Sequence, residues 1–169
     1  ARLSIQIDVG IGDAITPAPQ DVEFPTLLDM PAPRLKAYPR PTAVAEKLDA
    51  MLELGLKNSR MKDYYDIALL ARHFAFDGAT LHAAIEATLR RRGREIPLGL
   101  PTGLSDAFAS GTAKATQWSA FIRNHPAPEL PGDIPTVVRM VREFLEPPLL
   151  ALSSGTTFSR TWTPGGPWR

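Results

Sequence analysis

The chain has 169 residues, 44% of them hydrophobic and 22% charged, which suits a folded protein with a real core. Its net charge of +1 excludes a global attraction to nucleic acid or to an anionic membrane, so any basic patch must be local. It has no cysteine, which excludes disulfides, thiol nucleophiles and cysteine metal sites and fits a reducing cytoplasm.

The first element is "LSIQIDV", which alternates cleanly. Leu3, Ile5, Ile7 and Val9 fall on one side and Ser4, Gln6 and Asp8 on the other, the period of a half-buried strand. Asp8 then points away from the apolar face, towards solvent or a cleft. A chain that opens inside a strand, without a methionine, reads as a fragment lacking an amino-terminal portion. The glycines of "GIGD" end the strand and are too few for a phosphate-binding loop. Prolines punctuate residues 17–41, leaving "VEFPTLL" and "RLKAYP" as short extended pieces that can pair as edge or meander strands.

From Thr42 the pattern turns helical. "TAVAEKLDAMLELGL" predicts a helix with Thr42 as N-cap and Gly55 near its end. A second helix is predicted from Met61 to Phe74. In a third, "TLHAAIEATLRRRG", Leu81, Ala84, Ile85, Thr88 and Leu89 form one stripe and Gly93 closes the turn. "IPLGLPTGL" reads as a linker, "SDAFASGTAKATQWSAFIRN" as a helix capped by Ser105 or Asp106, and "TVVRMVREFLE" as the last helix. Residues 151–169 lack a useful period and read as a tail, ordered only if the tryptophans dock. No apolar run reaches the roughly 20 residues of a membrane span, and no secretory signal opens the chain. The expected fold is α+β: the end of a sheet over 1–41, a helical domain over 42–150 and a tail over 151–169.

Two stretches can carry chemistry. Lys47 falls with Val44, Leu48 and Met51 at i, i+3, i+4 and i+7 on the apolar stripe of the first helix, opposite Glu46, Asp49 and Glu53. Either its stem covers apolar surface while the ammonium reaches water, or the ammonium enters a polar pocket and needs partners there. "KNSRMKDYYD" supplies candidates: Asp63 and Asp66 share a helix face, behind a loop carrying Lys57, Arg60 and Lys62. Carboxylates in a first turn can simply answer the helix dipole. Together with the cations they can also make a pocket that holds phosphates beside a general base.

The segments "IQIDVGIGD", "FPTLLD", "AYPRPTAVAEKLDAM" and "NSRMKDYYDIALLAR" closely resemble the nucleotidyltransferase AbiEii/AbiGii toxin family, the toxin half of an abortive-infection toxin–antitoxin system. Weaker echoes continue in "FDGATLHAAIEATLRRRGREIP" and "TWTPGGPWR". The resemblance implies a DNA polymerase β-like nucleotidyltransferase fold joined to a helical bundle. It implies transfer of a nucleotide from an NTP to an acceptor such as tRNA, with Mg²⁺ as cofactor and a cognate antitoxin as partner. Carried over residue by residue, Lys47 of "AEKL" becomes a phosphate contact and Asp63 the base or structural acid. Arg60, Lys62 and Asp66 become supporting substrate contacts, and Asp8 a metal ligand. The family's Gly-Ser followed by an acidic pair, which holds the catalytic metal, has no counterpart here, and "SSGTTFSR" contains no acid. The chain as written is therefore expected to be inactive. The rival expectation is a non-catalytic module that binds nucleotide, RNA or antitoxin.

Among smaller features, "RRRGR" at 90–94 suits a helix C-terminus or an RNA backbone. His73, His82 and His125 lack metal-ligand spacing, and Trp118, Phe121 and Ile122 read as core.

Overall fold

The computed structural model describes Ser4, Ile5, Ile7, Gly12 and residues 14–169. The strand expected across residues 3–9 falls largely outside these residues, and Asp8 lies outside them entirely. The two Pro-flanked pieces pair only in part: of "VEFPTLL" only Val22 and Glu23 are in a strand, which starts earlier, at Gln20. β1 (Gln20–Glu23) runs antiparallel to β2 (Arg34–Ala37), with Gln20 opposite Ala37 and Glu23 opposite Arg34. Lys36 and Asp21 face each other across the strands at 3.1 Å, but both are exposed, so the pair adds under about 1 kcal/mol. The hairpin connection leaves Phe24, Leu27, Leu28 and Met30 exposed.

The rest of the α+β fold is dominated by helices. Helix α1 (Arg40–Leu54) has Pro39 at its N-cap, three residues before the expected cap, because Pro41 fits the first turn, where no N–H partner is required. Thr42 is inside the helix and buried. Its hydroxyl instead donates to the Thr16 carbonyl at 2.8 Å and accepts from the Thr16 N–H, tying the preceding loop to the helix. At the other end Gly55 takes a φ of 49°, a left-handed turn that favours glycine. Helix α2 (Met61–His73) packs along α6 (Ile134–Ser153), and α3 (Gly78–Arg91) along α1. The predicted α3 stripe is buried throughout, and the Asp77 side chain caps it through the Thr80 N–H.

The stretch expected as one helix from Ser105 is two. α4 (Asp106–Ala109), capped by the Ser105 hydroxyl, stops at Ser110-Gly111, and α5 (Thr112–Asn124) restarts beyond the glycine. Trp118 is buried, with Phe121 and Ile122 packed against the core. The presumed linker contains a 3₁₀ turn at Thr102–Leu104, where Gly103 sits so close to α1 that a Cβ would lie 2.9 Å from the Met51 carbonyl oxygen.

Helix α6 runs past its expected end at Glu146. Its interior holds Pro147 and Pro148, which lack N–H donors for the carbonyls four residues back. The chain then turns back. β3 (Phe76–Asp77) pairs with β4 (Thr161–Trp162), and Phe158, Trp162 and Trp168 are buried against Phe76 and Phe144. The Trp162 indole donates to the Ala71 carbonyl at the end of α2, where no helical donor remains. Gly78 is required at this junction, since a Cβ would lie 2.4 Å from the Arg160 carbonyl oxygen.

Candidate functional site

The site is assembled where α1 passes the first turn of α2. Lys47 is on the α1 stripe whose neighbours Val44, Leu48 and Met51 are all buried, which points its stem inward. Its ammonium ends at the α2 carboxylates: 3.2 Å from Asp63 Oδ1 and 2.7 Å from Asp66 Oδ2. Asp63 is the more enclosed, with a side chain 3% exposed against 21% for Lys47 and Asp66. Arg60 Nε approaches Asp63 Oδ2 at 2.9 Å as an ion pair without hydrogen-bond alignment, and Lys62 Nζ meets Asp66 Oδ2 at 2.5 Å. The structure thus brings together Lys47, Arg60, Lys62, Asp63 and Asp66. Burying the Asp63 charge is tolerable because two cations flank it.

The loop before α2 is held from below by residues the sequence reading did not single out. Asn58 is wholly buried. Its side-chain oxygen accepts from the Arg60 N–H at 2.8 Å, and its carbonyl accepts from Lys114 Nζ at 2.5 Å. Lys114, from α5, lies over the Phe108 ring, and burial lowers the pKa of its ammonium. Tyr64 donates to the Gly103 carbonyl at 2.8 Å and stacks on Phe108, and burial holds its phenol well above the ordinary tyrosine range. These contacts fix the height and rotation of the α2 first turn, and with it Asp63. The one sequence signal was a lysine, Lys114, beside Trp118, Phe121 and Ile122 on the face that α5 turns to the core.

A cleft of about 480 Å³ opens beside Lys47 and is lined also by Tyr38, Glu46, Asp49, Glu53, Arg60 and Arg92. Two arginines of "RRRGR", Arg92 and Arg94, reach the acids of α1. Arg92 reaches Glu46 at 2.8 Å, and Arg94 pairs with Asp49 and, at 3.4 Å, with Glu53. Asp49, expected on a polar outer face, is therefore buried. Arg90 pairs with Glu86 one turn back, and Arg91 donates to the Gly12 carbonyl. His73 lies 3.4 Å from Glu129, and His125 stacks on Phe121, both at the surface.

The family model for the nucleotidyl transferase AbiEii toxin of type IV toxin–antitoxin systems matches residues 1–146. The chain belongs to that family. The AbiEii match covers β1 to β3, α1 to α5 and α6 as far as Glu146, and it ends before the two prolines and the return of the chain onto the core. No curated protein and no solved structure matches the chain. Membership makes this AbiEii chain a nucleotidyltransferase-type module of a toxin–antitoxin system, with an antitoxin as implied partner. No helix among the described residues is long and apolar enough to cross a membrane.

Nucleotidyl transfer typically uses metal ions. Among the described residues no three His, Asp or Glu side chains converge to hold one, and Asp63 and Asp66 are already engaged by lysine and arginine. The described part of the AbiEii chain does not by itself form a metal site.

Proposed function

We propose that Lys47, Arg60, Lys62, Asp63 and Asp66 form the phosphate-handling part of a nucleotidyl-transfer site. On this reading an AbiEii-family toxin moves a nucleotide from an NTP to an acceptor such as tRNA in the cytoplasm, and its antitoxin restrains it. The observation that supports this most directly is the Lys47 ammonium, held between Asp63 and Asp66 at the edge of a cleft that Arg60 also lines. Three cations, Lys47, Arg60 and Lys62, surround the two carboxylates. The other acids lining the cleft, Glu46, Asp49 and Glu53, are met by Arg92 and Arg94, so the cationic cluster is what a polyphosphate would meet. An ammonium has three N–H donors, so Lys47 retains one beyond its two carboxylate partners. Asp63 then has one of two roles: it accepts a proton from the attacking hydroxyl, or it positions Lys47 for the phosphate.

Mg²⁺ is the cofactor that the family implies, with Asp8 as its candidate ligand, and no step is derived through it. The 169 residues hold no Gly-Ser followed by an acidic pair, so we take the chain as written to bind nucleotide without transferring it. The same observation favours the second reading, a module that binds nucleotide, RNA or antitoxin with no catalytic task.

The test is transfer of labelled nucleotide to tRNA by the longest natural form of the toxin, alongside Lys47→Ala and Asp63→Ala. Both variants should fold, and both should lose transfer and toxicity. Full activity in folded variants would overturn the site assignment, and nucleotide binding without transfer in the parent would favour the binding module.

A further inference from the structure

A second cleft, also about 480 Å³, lies on the other side of the Arg60–Asp63 pair. One wall is the start of α2: Ser59, Arg60, Met61, Lys62 and Asp63. The opposite wall is α5, through Gln117, Ala120 and Phe121. The volume falls in the range of small-ligand sites, which are mostly apolar with a few convergent polar groups. Met61, Ala120 and Phe121 provide the apolar surface, and Arg60 and Lys62 stand at the cationic end. Gln117 is the polar group between them. Its Oε1 is shielded from water and meets no donor. A buried amide oxygen without a donor is costly, and turning the Gln117 amide into the cleft, where a ligand N–H can meet it, recovers that cost.

We infer that this cleft is a nucleobase subsite, in which the Gln117 amide reads the base edge, Phe121 supports the ring face, and Arg60 and Lys62 meet the first phosphates. The inference rests on the phosphate-site reading above and adds to it the part of the site that selects the base. A flat heterocycle with apolar faces, a hydrogen-bonding edge and an anionic tail matches this lining. A plain polyphosphate matches only its cationic end. Arg60 lines both clefts, which places the base side and the Lys47 side of one nucleotide on either side of the same guanidinium. Gln117 can present either its oxygen or its amino group to the base by rotation about its last torsion, so its contacts decide which bases are preferred. Gln117 therefore determines specificity and takes no part in the chemistry.

The experiment is equilibrium binding of the 169-residue chain to each of the four ribonucleoside triphosphates and to inorganic tripolyphosphate. Wild type should bind at least one nucleotide about ten-fold more tightly than tripolyphosphate. Gln117→Leu should remove that advantage and level the four nucleotides, leaving tripolyphosphate affinity unchanged. Ala120→Leu, at an exposed position of the same wall, should do likewise by filling the cleft, which guards against a Gln117 variant that folds poorly. Lys47→Ala should weaken all five ligands together. If wild type binds tripolyphosphate as tightly as every nucleotide, or if neither α5 variant changes the ranking, the base subsite is overturned and the phosphate site stands. If tripolyphosphate does not bind at all, the phosphate reading itself fails and the subsite falls with it.

Discussion

The indole of Trp168 donates to the carbonyl of Phe144 at 2.9 Å, and this is the carbonyl that Pro148 cannot serve. A helix with proline four residues on loses that bond and leaves a buried acceptor bare. Here the end of the chain supplies the missing donor, and its ring stacks on Phe144 with centroids 5.6 Å apart. The prolines of α6 and the tryptophans of residues 158–168 are thus two halves of one arrangement.

Trp168→Phe should keep most of the packing and lose the donor, costing about 1–3 kcal/mol in urea unfolding because the Phe144 carbonyl becomes a buried orphan. In a Pro148→Ala background the helix supplies its own N–H, so the same substitution should cost measurably less. Equal losses in the two backgrounds would show that the two residues are not coupled, which a double-mutant cycle reads directly.

Lys47 should matter to stability as well as to any chemistry. Lys47→Met leaves Asp63 buried with Arg60 as its remaining partner, a loss on the order of 1–3 kcal/mol, below that of a fully broken buried pair. Adding Asp63→Asn removes the charge that was stranded, so the double variant should recover part of the loss while nucleotide binding stays impaired. A double variant as unstable as the sum of the singles would mean that the pair contributes no coupling to the fold.

Acid should release two helix caps. Hydrogen bonds from Thr80 hold the Asp77 carboxyl below its ordinary range, and bonds from Thr136 do the same for Asp133. A carboxyl whose pKa is lowered by folding binds fewer protons folded than unfolded. Its stabilisation is therefore complete above the unfolded value of about 4 and disappears as pH falls through the lower folded value. Asp77→Ala and Asp133→Ala should each cost about 1 kcal/mol at pH 7. The gap to wild type should narrow as pH falls below the unfolded value of about 4, read by thermal melts across that range. A gap that acid does not narrow would place the effect outside the carboxylate.

How far the sequence could be read depended on how local each cause was. The α3 stripe, the Ser105 cap and the end of α1 at Gly55 are set by neighbours within a few residues. So is the shared face of Asp63 and Asp66. Lys47 on an apolar stripe announced a need for partners, and Asp63 and Asp66 were the natural candidates sixteen and nineteen positions on (63 − 47 and 66 − 47). Other features have distant causes. Thr42 looked like a cap until Pro39 and Pro41 set an earlier start and Thr16 claimed its hydroxyl. Asp49 looked solvent-facing until Arg94 came over from beyond α3.

Composition and periodicity thus determined the α+β class, the order of most helices and the charged motif, because propensity, capping and amphipathic spacing act along the chain. Only the tertiary structure decided that α6 continues through two prolines, that Trp162 and Trp168 close over α2 and α6, and that Gln117 faces the motif loop across a cleft. Each of those depends on a donor, an acceptor or a ring brought from a distant part of the sequence. No local pattern records such an approach, because the burial that makes it favourable does not exist until the helices have packed.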